Sequence, residues 1–243
     1  MIRVESAETI LIKVESLNNV ANREHITLLK SSIKRWNIWR ESYPKVEPDL
    51  DRVDFNGINL KNANLRRANF HMALLNGTNF QGADLTKTFF SGSDLRGANL
   101  NETDCSAAKF DGADLYGCSF KKATLRKVDF SNFDLRGIDF SETDLRKADM
   151  RKSNLQKVNL FKADLRKTLF TEANLTEAYL SSTWLQDTDL QWANLSKTIL
   201  RYSVNLTPAQ LQSAKIDRET KVPHYLKIHW TSETDFRCEE KTG

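Results

Sequence analysis

The sequence predicts an all-β chain wound into a four-sided parallel β-solenoid, and three observations carry that prediction. From Phe55 to Leu200 every residue whose number is divisible by five is Leu, Phe, Met or Cys, thirty positions without a phase slip. A second column lies two residues earlier, from Val53, Ile58, Ala63, Ala68, Ala73 and Thr78 to Thr198, and is small or β-branched almost throughout, with Phe133 its one large member. Eight of the nine glycines (57, 77, 82, 92, 97, 112, 117 and 137) fall two residues after the large apolar position, while Pro44, Pro48, Pro208 and Pro223 all lie outside the block. A period of five fits neither a helix nor a plain strand. Both columns point inward only if the chain turns a corner every five residues. Four corners close a coil of twenty residues, and coils stacked at the inter-strand spacing of ~4.8 Å give about seven to eight coils and a prism of ~36 Å. A corner with positive φ selects glycine at one phase, and proline would remove a donor from the inter-coil ladder.

The composition sets bounds on this prism. The chain has 243 residues, 40% hydrophobic content and a formal net charge of +4. No apolar run approaches the ~20 residues of a membrane helix, and the first residues lack the basic and apolar regions of a signal peptide. A cytoplasmic protein is expected, with no membrane partner. Three irregularly spaced cysteines fit a reducing compartment better than a disulfide framework.

Three segments follow along the chain. Residues 1–50 read as an N-terminal arm and a capping helix: Asn22 is the N-cap, Ile26, Leu29, Ile33, Trp36 and Trp39 share one helical face, and the helix stops before Pro44. Within them, residues 1–17 alternate and read either as an added strand or as a loose arm. Residues 51–202 are the solenoid. Residues 203–243 are a C-terminal cap and polar tail. Thr207 caps a short helix there, with Pro208 at its first position and Gln210 completing a capping box, and residues 231–243 read as mobile. Each end of a solenoid needs such a cover, because an end coil exposes an apolar section and unpaired backbone groups.

Triplets such as Ala63-Asn64-Leu65, Ala83-Asp84-Leu85 and Thr143-Asp144-Leu145 at this spacing resemble the pentapeptide-repeat family. The resemblance covers about 150 of the 243 residues and implies a right-handed quadrilateral β-helix. Trp36-Asn37-Ile38-Trp39-Arg40 with Pro48-Asp49-Leu50 is similar to the leader of bacterial members. Leu206-Thr207-Pro208-Ala209-Gln210-Leu211, with Asp217, Thr220 and Pro223, is similar to their closing segment. The fold itself implies little about function.

Residues twenty apart share a face. The first face runs through Phe55, Leu75, Leu95, Leu115 and Leu135, with a glycine at each corner until Lys157, where a change of turn type is expected. The third runs through Leu65, Leu85, Cys105, Leu125, Leu145, Leu165 and Leu185. Its corner residues Arg66, Arg67, Lys87, Arg126, Lys127, Arg146, Lys147, Arg166 and Lys167 outnumber Asp84, Asp104, Asp144, Asp164 and Asp187 by nine to five. This basic stripe is either a dock for an acidic partner or nucleic-acid backbone, or a solvated, half-neutralised face. The fourth face stacks Phe70, Phe90, Phe110, Phe130, Met150 and Phe170 inward and reads as a core ladder rather than a cofactor box. Outward positions in the last coils are unexpectedly apolar: Phe161, Leu169, Tyr179, Trp184, Trp192, Ile199 and Tyr202. Such a patch wants a cover, either the chain from 203 to 230 or a partner. Relatives often pair through their C-terminal coils, so a homodimer is the second expectation.

No phosphate loop, nucleophile elbow or His-Glu-x-x-His motif is present, so neither an enzyme nor a cofactor is expected. His224, His229 and Cys238 match no common zinc spacing. Cys105 and Cys118 occupy inward phases and read as small buried hydrophobes. Asp94, Asp114 and Asp134 read as acceptors for turn amides more than as a cation site. The functional expectation is a non-catalytic protein–protein interaction scaffold or regulatory binding protein with an unidentified partner. Two alternatives remain: a topoisomerase-binding DNA mimic, disfavoured because mimicry needs an acidic rod, and direct nucleic-acid binding along the basic stripe, disfavoured because no aromatic interleaving accompanies it.

Overall fold

The computed structural model describes residues 22–241. The expectation for residues 1–17, and residues 242–243 of the tail, fall outside them. Four series of parallel bridges organise the block. Asp49, Asn69, Phe89 and Lys109 pair in turn on the fourth face, Asp54, Leu74, Asp94 and Asp114 on the first, Asn59, Asn79, Asn99 and Ser119 on the second, and Asn64, Asp84, Asp104 and Thr124 on the third. Each partner is twenty residues on. Each face contributes one bridging residue per coil rather than a long strand, because turns occupy the two residues after every large apolar position.

One pentapeptide shows why the chain bends this way. The Phe80 amide donates to Asn99 O one coil on (2.8 Å), and the Gly82 amide donates to Asn101 O (3.0 Å). The Ala83 amide closes the corner onto Phe80 O (2.8 Å), and the Asp84 amide donates back to Ala63 O (3.0 Å). The remaining donor, Gln81 N–H, goes to the Asn79 side-chain oxygen (3.0 Å). All five amides are satisfied. The Asn or Asp that precedes the large apolar residue is therefore part of the corner: its carboxamide or carboxylate caps the amide two residues on. The inner column holds methyl groups or hydroxyls with local partners, as where Thr78 Oγ1 donates to Phe55 O (2.7 Å).

Every corner from Arg52 to Tyr202 holds a left-handed residue at the glycine phase, and at most of them it is not glycine. The change of turn expected near Lys157 does not occur: φ is +64° at Gly97, +68° at Gly137 and +58° at Lys157. A left-handed L-residue costs roughly 1–2 kcal/mol. The ladder and the two inward columns impose the conformation regardless, and glycine relieves its cost at eight corners.

The core is the tube itself. Leu60, Leu65, Leu95, Leu135 and their counterparts are fully buried. Phe70, Phe90, Phe110 and Phe130 stack with centroids 5.2–5.4 Å apart, and Phe80 meets Phe90 edge-on at 6.0 Å. The fourth-face ring column is thus a core ladder. Phe133 breaks the pattern. Its column mates one coil either side are Ala113 and Ser153, and Phe133 and Ala113 are only half-buried. No bridge joins Lys109 to Asp129 or Asp114 to Asp134, and the amides of Phe110, Gly112, Leu115, Gly117, Asp129 and Asp134 make no ladder bond among the described residues. A benzyl group in a slot sized for a methyl holds two coils apart on the fourth and first faces.

The N-terminal cover is two helices, not one. α1 (Arg23–Ser31) starts at Asn22, whose side chain accepts from the Glu24 and His25 amides. Ser32 is extended and its Oγ accepts from the Arg35 amide, so it starts α2 (Ile33–Ser42). Within α2, Trp36 Nε1 donates to Asn64 O (2.8 Å), Asn37 Nδ2 donates to Asn62 O (2.9 Å), and the Arg40 guanidinium donates to Val46 O and Arg66 O (2.5 and 2.8 Å). These groups cover the open edge of the first coil. At the other end α3 (Pro208–Gln212) carries the capping box read from Thr207 and Gln210, and Gln210 Nε2 donates to Leu185 O and Thr188 O (3.0 and 2.7 Å). The tail read as mobile instead folds: β1 (Leu226–Trp230) pairs antiparallel with β2 (Phe236–Glu240). Trp230 lies against Phe236 at 5.6 Å and Arg218 stacks on Trp230 at 5.1 Å, which offsets the polar composition that suggested mobility. No described helix is long and apolar enough to cross a membrane.

Candidate docking surface

The third face places its charges in two registers. Outward positions hold Asp144 and Asp164, and the corner beyond holds Arg126, Arg146 and Arg166. These form one zipper. Arg126 Nε donates to Asp144 (2.5 Å), Arg146 reaches both Asp144 (2.8 Å) and Asp164 (3.4 Å), and Arg166 meets Asp164 (2.6 Å). Burial raises the Asp144 pKa, but the Arg146 and Arg126 hydrogen bonds outweigh it and hold the carboxyl below its ordinary value. One residue further on stand Lys127, Lys147 and Lys167, in column on successive coils, exposed and left-handed at φ +60°, +62° and +62°. None makes an ion pair among the described residues.

The stripe read from the sequence is therefore not continuous. Its lower part is Arg66, exposed, Arg67, paired with Glu47 at 3.5 Å, and Lys87, exposed. Ser106 and Ala107 interrupt it. Its upper part is the arginine zipper with the lysine column beside it.

The apolar candidates divide as well. Phe161 stacks on Tyr179 at 5.8 Å, Ile199 bridges Tyr179 one coil on, and Tyr202 stands on the corner between the second and third faces. Trp184 lies on the third face, with the Arg166 guanidinium 5.2 Å from its ring and Val204 bridged above it. Lys162 sits over Phe161 at 5.1 Å. These five aromatic and aliphatic candidates share one edge. Leu169, on the fourth face, and Trp192, on the corner between the fourth and first, lie away from it. The expected cover from residues 203–230 does not form over this edge: Trp184 stays 50% exposed and Tyr202 72%. The reason is that the closing segment is used at the prism's end, where Lys215 and Lys221 bridge Asn194 and Ile199.

The remaining candidates are resolved by geometry. Asp94, Asp114 and Asp134 each accept a turn amide, from Arg96, Tyr116 and Arg136 at 3.1, 3.0 and 3.3 Å. His229 bonds Glu239 (2.9 Å), and strand alternation turns Cys238 to the other face of the hairpin, opposite Ile228. No group of three His, Cys, Asp or Glu able to hold a metal forms among the described residues. Cys105 and Cys118 are buried, and burial pushes both thiols up to about 12. The sequence reading missed Val204 and an apolar group at the other end, Met72, Leu74 and Phe89. Leu74 and Phe89 were legible, because each takes the outward slot that mostly holds Asn or Asp.

Comparison with known proteins bears on the block as a whole. A model described as a pentapeptide repeat region matches residues 87–160 and 103–180. A second, described as pentapeptide repeats (8 copies), matches residues 49–82, 163–201 and 173–215. A search of curated proteins finds no match. Among solved structures, QnrB1, described as a plasmid-mediated fluoroquinolone resistance protein, superposes with a TM-score of 0.65 at 21% identity, covering 73% of this chain and 90% of that one. HetL, described as involved in heterocyst differentiation regulation in the cyanobacterium Nostoc sp. strain PCC 7120, is 24% identical over 73% of this chain and 94% of its own, at a TM-score of 0.24 too low to argue from. The QnrB1 likeness shows the fold, a right-handed β-helical solenoid. With its repeats matched from residue 49 to 215, the chain belongs to the pentapeptide-repeat family.

Proposed function

We propose that this chain is a non-catalytic binding scaffold that docks an acidic protein partner along the upper half of its third face. The observation that carries the reading is the Lys127, Lys147 and Lys167 column. The neighbouring arginines spend their charge on Asp144 and Asp164, whereas the three lysines stand in a file on coils ~4.8 Å apart with no described counter-ion. A rigid row of like charges raises encounter rates with an opposite row. Trp184, held by Arg166 at the same face, supplies an aromatic anchor of the kind that dominates binding energy at interfaces. The test is affinity capture from the source cell with wild type and with K127E/K147E/K167E. Specific partners lost in the variant and weakened by salt support the reading. Partners retained equally by both proteins overturn it.

The same face suits a single nucleic-acid strand less well, since only Trp184 offers a stacking ring beside the cations. Tight, salt-sensitive binding of a labelled oligonucleotide that excess unlabelled strand displaces would favour that reading over a protein partner. The QnrB1 likeness brings the topoisomerase-binding DNA mimic to this chain as a third reading. A formal net charge of +4 opposes it, and a gyrase supercoiling assay with a quinolone decides it by the presence or absence of protection.

A further inference from the structure

We propose that the prism bends as two stacks about the half-coil of residues 119–128, which acts as a hinge, while Phe133 holds the opposite edge open. From Asp49 to Val204 the four bridge series have two gaps among the described residues, Lys109 to Asp129 on the fourth face and Asp114 to Asp134 on the first. Both gaps belong to one seam. The amides of Phe110, Gly112, Leu115 and Gly117 on its lower rim, and of Asp129 and Asp134 on its upper rim, make no ladder bond among the described residues.

The half-coil 119–128 is instead fastened on both sides. Ser119 bridges Asn99 below and Asp139 above, and Thr124 bridges Asp104 and Asp144. The Phe120 amide donates to Asp139 O and the Lys122 amide to Ser141 O, both at 2.9 Å. Side chains pin the same side: Lys121 and Lys122 each reach Glu142 (3.9 Å), and Arg126 reaches Asp144 (2.5 Å). No ion pair among the described residues crosses the seam on the fourth or first face. Arg96 spans the seam beneath, to Asp114 (3.8 Å), whereas Arg136 pairs with Asp134 of its own coil (2.7 Å).

The ring columns record the same asymmetry. On the fourth face Phe70 and Phe90 lie 3° from parallel and Phe90 and Phe110 10°, but Phe110 and Phe130, which meet across the seam, are 32° apart. On the second face Phe120 and Phe140 cross the same seam and stay within 14° at 5.3 Å. The coils are tilted, open at the corner between the fourth and first faces and closed at the corner between the second and third. Bending elsewhere would break ladder bonds, whereas at the open edge none remains to break. This seam is therefore the softest in the prism, with the microsecond-to-millisecond motion of a hinge. The inference does not rest on the docking reading of the third face.

Spin labels supply the test. Cys238 is replaced by Ser, and the other cysteines, Cys105 and Cys118, are buried. Ser91→Cys with Gln191→Cys places a label pair on the open edge, and Glu102→Cys with Tyr202→Cys places one on the closed edge. Each pair spans the seam at a separation of about five coils, ~24 Å. Pulsed dipolar spectroscopy then gives two distance distributions. The expected result is an open-edge distribution roughly twofold wider than the closed-edge one, narrowed to the closed-edge width by Phe133→Ala. Equal widths at the two edges without Phe133→Ala overturn the proposal, and that comparison stands even if Phe133→Ala fails to fold. An open-edge width that Phe133→Ala leaves unchanged overturns it as well.

Discussion

Replacing Phe133 with Ala should stabilise the protein, although it deletes a phenyl ring. Six amides around this residue, those of Phe110, Gly112, Leu115, Gly117, Asp129 and Asp134, lack the ladder bonds that their counterparts make one coil away. A regained intramolecular hydrogen bond contributes about 0.5–1.5 kcal/mol net, so closing the gap restores roughly 3–9 kcal/mol. Against this stands the burial of a half-exposed ring, about 1–1.5 kcal/mol when a fully buried Phe is worth up to about 3. Alanine is what the same column carries at positions 113 and 173, so no void remains once the coils approach. Taking the low end of the gain, the variant gains about 2 kcal/mol, or a Tm rise of about 4–8 °C for a chain of this length. Hydrogen exchange gives the residue-level check: the six amides exchange fast in the wild type and slow in F133A. The reasoning is refuted if F133A melts lower and those amides remain fast, because the gap would then have a cause other than the ring.

The left-handed corners give a graded series. Gly97→Ala should cost about 1–2 kcal/mol from backbone alone, since nothing lies within 4 Å of a Cβ there; Gly82→Ala should cost more, because its Cβ would meet Asn62 Oδ1. Chemical denaturation ranks the two, and equal costs would contradict the contact. Acid should loosen the prism only below the usual carboxylate range. The arginines two residues on hold Asp94, Asp134 and Asp149 below their ordinary pKa. A depressed folded pKa gives stability that is present above about pH 4 and lost as pH falls through the lowered values. An acid transition by circular dichroism centred above pH 5 would rule these pairs out as its origin. Iodoacetamide at pH 8 should leave Cys105 and Cys118 unlabelled until the protein is unfolded, because burial holds both thiols protonated with pKa values of about 12; labelling of the native protein would show that the tube opens there.

The tube was legible because its cause is local and repeated. Each inward leucine, each Asx before it and each glycine after it states the same geometry, and the bridges realise it at a spacing of twenty. Legibility fails where one residue departs from the repeat. Phe133 could be seen as the one large member of its column, but its effect on the ladder depends on backbone packing in the coil below, which a column of letters does not contain. The corner at Lys157 keeps the turn because glycine at this phase is a preference and not a requirement: the ladder bond from Lys157 N–H to Thr176 O (3.0 Å) fixes that residue whatever its side chain. The hairpin was missed because Trp230 and Phe236 are isolated apolar residues in polar surroundings and signal only as a pair. On the third face the sequence counts charges but not their partners. The contacts of Asp144 and Asp164 separate the committed arginines from the unengaged lysines.

Below the closing segment each bridge of the prism joins residues twenty apart, and this limits how such a molecule can vary. Removing five residues would keep each large side chain indoors yet turn everything above the cut by a quarter revolution about the long axis, so that Trp184 and its lysine neighbours would look a different way from α2. Removing a whole turn, such as residues 71–90, preserves the compass bearing of every remaining surface and alters only height. Length is thus a quantised variable in this architecture, and orientation between its two ends is kept only by steps of four repeats.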